Sequence, residues 1–272
     1  MTPTFLLSAF LILLALGVFL YFLFRKPKAA PLPAFKEEWE ELLESKVAYY
    51  DALSEPEQQR FHDRMREFFA KVTITGVDTE LEELDRVLVA ASGIIPTFGF
   101  PKWNQYPRLN EVLIYKDHFR WGDFATEGEG RNVGGMVGGG FMTGKLLLSR
   151  PALRQGFLQH GRGNTGIHEF VHLLDKADGD TNGVPGYYLE RPYVLPWLEM
   201  IRTEAAAIER GDSDIDPYAL TNKAEFFAVA AEYFFNRPAA FADNHPKLFA
   251  LLERVFQQDL DDDGGIGTVG GR

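Results

Sequence analysis

The stretch GNTGIHEFVHLLDKADGD, Gly163 to Asp180, decides how this chain is read, because it sets His168, Glu169 and His172 in the order H-E-x-x-H. Residues four apart on a helix lie one turn above each other on the same face. His168 and His172 can therefore present two imidazole nitrogens to one ion. Glu169 falls on a neighbouring face, where its carboxylate can take a proton from a metal-activated water without being a ligand itself. Gly163, Asn164 and Thr165 provide a turn and a cap, so the helical context that the motif needs is present. The bland alternative is a buried helix whose histidines are hydrogen-bonded to backbone or acid. Burying two histidines and a glutamate among Ile167, Phe170, Val171, Leu173 and Leu174 is costly without partners, and a metal ion supplies one.

Zinc needs a third protein ligand and a position left for water. The chain has no cysteine, so a bound metal must use imidazole and carboxylate. The continuation with a glycine and a third histidine is absent, since Asp175 and Asp178 stand at those positions. Asp178 can in principle ligate, but the sharp turn of that glycine is missing. Glu225, in a later helix, is the better source. It also completes a passable capping box with Asn222. Glu232, seven residues on, shares a similar face and is open as ligand, as support behind a ligand or as a solvated charge. Asp175 can orient an imidazole or lie on the helix surface.

At 272 residues the chain suffices for one large domain or two small ones, and its net charge of −11 argues against nucleic-acid binding. Residues 5–24 carry no charge over twenty positions, enough for a helix of roughly 30 Å across a bilayer core. Arg25, Lys26 and Lys28 follow at once, which predicts a single-span anchor with the rest of the chain in the cytoplasm. An uncleaved export signal is the alternative. The segments are therefore read as anchor and basic flank, 1–28; proline-rich spacer, 29–34; main domain, 35–258; and a disordered acidic, glycine-rich tail, 259–272.

Within the domain, amphipathic patterns predict helices over 35–53, after Ser54-Glu55-Pro56-Glu57, and after Thr79-x-x-Glu82, both of which read as capping boxes. Strand composition appears at Glu111 to Phe119 and at Lys145 to Pro151. Arg131 to Gly144 is glycine-rich without a phosphate-loop ending, and reads as a hairpin or bulged edge. Lys145 to Ser149 is open as the edge strand that receives an extended peptide or as an internal strand. A helix is expected from about Leu198 to Arg210, and two more follow, one holding Glu225 and one over HPKLFALLERVFQQ.

IHEFVHLLD together with DPYALTNKAEFFAVAAEYFFNRP resembles the zinc-dependent peptidase family of Mlc titration factor A, and the order of parts matches over about residues 31 to 259. The resemblance implies an α+β, zincin-like metallopeptidase domain, mostly helical with a small mixed sheet, here preceded by one transmembrane helix. It implies Zn2+ on His168, His172 and Glu225, with Glu169 as general base. Tyr218, seven residues before Glu225, matches a tyrosine also found in the related anthrax lethal factor catalytic domain, placed to stabilise an oxyanion. The function expected is a single-pass membrane metallopeptidase, in a bacterial inner membrane with its catalytic domain facing the cytoplasm. Its substrates are peptides or proteins, and aminopeptidase-type action is implied. The rival function is a regulatory binding module that sequesters a cytoplasmic protein partner, with peptidase activity incidental. The anchor is a departure from the soluble family pattern.

Overall fold

Helices occupy most of the described stretch 37–94, where apolar spacing predicts them. The computed structural model of the protein describes residues 31–101, 106–158, 163–186, 188–189, 191–260 and 266–268, with isolated positions at Leu16, Gly17 and Leu20. Apart from those three positions, the stretch read as a membrane span lies outside the described residues. Among the described residues no helix is long and apolar enough to cross a membrane.

The helix expected over 35–53 breaks in two, α1 (Glu37–Lys46) and α2 (Ala48–Asp51), at Val47, whose φ of −120° and ψ of 87° leave the helical region. Then α3 (Glu55–Lys71) opens with both arms of the Ser54–Glu57 capping box formed. Strand β1 (Thr73–Val77) leads to α4 (Glu83–Ile94). Its capping box is displaced by one turn from the expected Thr79–Glu82 pair: Glu82 caps the helix and Asp85 reaches back.

The sheet comprises β1, β2 (Glu111–Tyr115), β3 (Gly135–Val137) and β4 (Lys145–Ser149), in the order β1-β2-β4-β3. β1, β2 and β4 run parallel, and β3 runs antiparallel to β4. Leu146, Leu147 and Leu148 are all fully buried, as an interior strand with both faces covered requires. Lys145 to Ser149 is therefore the internal strand of the two readings left open, and the glycine-rich segment supplies the edge, β3. The small mixed sheet among many helices agrees with the expected α+β fold.

Helix α5 (Arg150–Gly156) turns the chain back toward α6 (Thr165–Asp175). Helix α7 (Arg191–Arg210) begins earlier than expected and carries Pro196 inside it, with Pro192 in the first turn where a missing N–H costs little. Helix α8 (Lys223–Asn236) buries Phe226, Phe227, Phe234 and Phe235 together with four alanines and lies at the centre of the core. Phe227 and Phe234 stack on Phe256 of α10 (Pro246–Phe256), which follows the short α9 (Pro238–Asn244). Each such ring contributes roughly 1.5–3 kcal/mol through burial. Nearly all of this core belongs to one compact unit, Pro33–Arg272.

The tail read as disordered from 259 is corrected in part. β5 (Gln258–Leu260) pairs antiparallel with β6 (Ile266–Thr268). Its first residue explains the start of the pairing: buried Gln258 donates from Nε2 to the Ile95 carbonyl and accepts from the Tyr49 hydroxyl.

Candidate functional site

Two helices meet at the site, and each is capped by an asparagine. Asn164 accepts from Ile167 N at 3.1 Å to start α6, and its Nδ2 donates to the Gly156 carbonyl. Asn222 accepts from Glu225 N at 3.0 Å to start α8. Only the backbone half of that box forms, because the Glu225 carboxylate turns instead to the histidines. On α6, Ile167, Phe170, Val171 and Leu174 are buried in the core, which rotates His168 and His172 toward a cavity of about 1330 Å³.

The three expected ligands converge. His168 Nε2 lies 3.0 Å from Glu225 Oε2 and 3.0 Å from His172 Nε2, and His172 Nε2 lies 3.5 Å from Glu225 Oε2. Donors held near 2.0–2.1 Å from one tetrahedral ion stand roughly 3.3 Å apart, so this spacing fits a shared divalent ion. Two imidazoles and a carboxylate are also the donor chemistry that suits zinc. Among the described residues these three are the group placed to hold a metal.

Glu232 stands behind the first ligand. Its Oε1 accepts from His168 Nδ1 at 2.6 Å, and its other oxygen accepts from Asn164 N. One carboxylate thus ties the α6 cap, the α6 histidine and the α8 helix together. Holding Nδ1–H in this way leaves the Nε2 lone pair for an ion. Of the three roles left open for Glu232, the geometry selects support behind a ligand.

Burial weighs against a charged His168, but its hydrogen bonds to Glu225 and Glu232 outweigh burial and lift its pKa to about 10. Burial likewise opposes the Glu225 charge, yet the two histidines bring that carboxyl down to about 2. The two carboxylates that flank His168 favour a positive charge between them, which a bound metal ion would supply.

Glu169 behaves differently. Burial pushes its carboxyl up to about 7, against the pull of His168 and His172. It lies under β3 at Gly135, where a Cβ would come within 2.7 Å of Glu169 Cγ. A side chain at 135 would displace the Glu169 carboxylate, a requirement that nothing in the sequence pattern signals.

Tyr218 sits in the 3-10 turn Pro217–Leu220, whose first amide is capped by Asp216 Oδ1 at 2.9 Å from Tyr218 N. Its ring centroid is 6.2 Å from that of His168, and the side chain is half exposed to the cavity. Burial, then the charges of Glu225, Glu169 and Glu232, raise its pKa, so the phenol keeps its proton and can donate.

Asp175 is neither a support for an imidazole nor a surface carboxylate. It is buried, and both its oxygens accept from Gly183 N, at 3.1 and 2.9 Å. Gly183 has a φ of +72°, and a Cβ there would meet the Lys223 carbonyl oxygen at 2.1 Å. Trp197 Nε1 donates to the Gly183 carbonyl at 2.7 Å. The end of α6 is thereby joined to the first turn of α8, two residues before Glu225. Asp178, whose side chain is not among those described, sits in the turn Lys176–Asp178.

The edge strand β3 borders the same cavity through Gly135, Met136 and Val137. Strand addition by an extended peptide would thus use β3, not the Lys145–Ser149 segment considered from sequence.

Comparison with known proteins relates the chain to a family of metallo-peptidases. Residues 23–257 match the family described as glucose-regulated metallo-peptidase M90. Mlc titration factor A from Cronobacter sakazakii (strain ATCC BAA-894) is 30% identical over 250 residues, covering 85% of this chain and 87% of that protein. Mlc titration factor A from Escherichia coli (strain 55989 / EAEC) is 27% identical over 239 residues, covering 81% and 86%. The uncharacterized protein slr2042 of Synechocystis sp. is 28% identical over 237 residues, covering 83% and 84%.

The support given by Glu232 predicts that Glu232→Gln weakens zinc affinity by about tenfold or more, measured by competition with a chelating dye. Unchanged affinity in a variant with the wild-type circular dichroism spectrum would contradict that role.

Proposed function

The chain belongs to the glucose-regulated metallo-peptidase M90 family, and from that premise we propose that it is a zinc peptidase using His168, His172 and Glu225 as ligands. The observation that carries the reading is the convergence of two imidazoles and a carboxylate at 3.0–3.5 Å, in a cavity that also holds Glu169 and Tyr218. Zinc, when bound, supplies Lewis acidity that polarises the scissile carbonyl and makes a water nucleophilic near neutral pH.

The chain's own groups handle the protons. Glu169, with a proton affinity near neutrality, accepts a proton from the attacking water and returns it to the leaving amine as the C–N bond breaks. The Tyr218 phenol donates a hydrogen bond to the oxyanion that develops on the carbonyl oxygen. Glu232 holds the His168 ring in the tautomer that a ligand needs. Gly135 keeps β3 clear of Glu169. Aminopeptidase-type cleavage is the narrower form of this reading, and it rests on the family resemblance.

The name Mlc titration factor A, carried by relatives of this chain, favours a second reading, capture of a protein partner. Capture makes no demand on the Glu169 carboxylate. We also propose that residues 5–24 anchor the chain in a membrane with the peptidase on the cytoplasmic side. Their support is the uncharged run and the basic cluster of Arg25, Lys26 and Lys28.

Glu169→Gln is expected to retain zinc while lowering kcat for peptide hydrolysis by roughly 10²–10⁴-fold. Tyr218→Phe is expected to lower kcat by roughly 10²-fold. Wild-type turnover in the Glu169 variant contradicts the mechanism. For the anchor, the full chain should stay with membranes through carbonate washing, and a chain lacking residues 1–28 should not. A carboxy-terminal reporter active only outside the cytoplasm would overturn the orientation.

A further inference from the structure

The cavity extends well beyond the metal group, along one face of α8. Glu225, Val229, Tyr233 and Arg237 all line it, four residues apart in succession. Its carboxylates are already engaged. Glu225 and Glu232 bond to His168, and Asp216 caps the Tyr218 turn. Asp214 accepts from the Tyr233 hydroxyl, Asn244 and His245. The remaining one, Glu169, is the proposed general base.

The cations are not engaged. Among the described residues, Lys176, Lys223 and Arg237 line the cavity without forming an ion pair. Arg237 is the most constrained of them. Its guanidinium lies over the Tyr233 ring at 4.4 Å, and its Nε is buried without a hydrogen-bond partner. The ring beneath it is pinned in turn, because Tyr233 donates to Asp214 at 2.5 Å and Asp214 accepts from His245 at 2.9 Å. A guanidinium held over an aromatic ring, lining a cavity and forming no ion pair, is a site for a carboxylate, which it can take with two parallel hydrogen bonds.

We propose that Arg237 is a substrate subsite that selects peptides bearing a carboxylate at a fixed distance from the scissile bond. The inference rests on the peptidase reading for its substrate. Arg237, the residue that ends α8, lies twelve residues from Glu225, about 18 Å at the helical rise. An extended peptide advances about 3.4 Å per residue. With the reach of an arginine side chain included, the carboxylate falls roughly four to seven residues from the cleaved bond. Either an Asp or Glu side chain or a peptide's own C-terminal carboxylate has the required chemistry. Lys176 and Lys223 line the same cavity elsewhere, in a chain whose net charge is −11.

The test uses fluorescent octapeptides in matched pairs: Asp against Asn at one position at a time, and a free C-terminal acid against its amide. Binding to the full chain carrying Glu169→Gln is read by anisotropy, and cleavage by the chain with Glu169 intact is read by mass spectrometry. The acid member of at least one pair should bind roughly tenfold more tightly. The pair that shows the preference tells a side-chain carboxylate from a terminal one. Adding Arg237→Gln should bring the ratio close to one, and Arg237→Glu should reverse it, an outcome that misfolding does not produce. Equal binding within every pair, a preference that survives Arg237→Glu, or no peptide binding at all overturns the proposal. The anisotropy ratio does not depend on turnover. A chain that prefers acid peptides but cleaves none therefore contradicts the peptidase reading and leaves the subsite standing.

Discussion

Two helices of the core hold buried charge between them at the metal group. His168 lies between Glu225 and Glu232, and all three side chains are largely removed from water. Groups of this kind cost several kcal/mol each to bury and are stable only when their partners are held in place. The protein meets that demand from several directions. Phenylalanines on α8 fix it in the core, and asparagine caps start both helices. Asp175 and Gly183 join the end of α6 to the start of α8. The same arrangement holds the His168 ring through Nδ1 and leaves its Nε2 lone pair for a divalent ion.

This view gives a physical role to residues that touch no ion. Gly183 needs both its left-handed φ and its missing Cβ, because the Lys223 carbonyl lies against it. Gly135 needs only the missing Cβ, so that Glu169 can sit beneath the edge strand. Both keep carboxylates where chemistry needs them, Glu225 through the backbone and Glu169 through open space. Burial raises the proton affinity of Glu169, while two histidines lower that of Glu225. Two glutamates in one cavity are thereby divided between proton transfer and ligation.

Much of the site was legible in the sequence because helical periodicity is local. His168, Glu169 and His172 share a helical spacing that suits a metal site, and the family resemblance points to Glu225 and Tyr218 beside them. Less legible were features set by contact between distant segments. Asp175 reads equally well as a surface acid, and only the fold brings the Gly183 amide to it. Lys145 to Ser149 reads as an edge or an interior strand, and the pairing of Gly135–Val137 beyond it decides. The capping pair expected at Thr79–Glu82 falls three residues short of the observed Glu82–Asp85 pair, because glutamate is not among the residues that usually cap a helix start.

If His168, His172 and Glu225 hold one zinc ion, elemental analysis of the purified full chain should find about one zinc per wild-type chain, restored by dialysis against zinc after chelation. Glu225→Ala should lose most of that zinc while the fold persists by circular dichroism. A wild-type chain that neither carries nor takes up zinc, or a Glu225→Ala chain that holds zinc as tightly as the wild type, would contradict that ligand set.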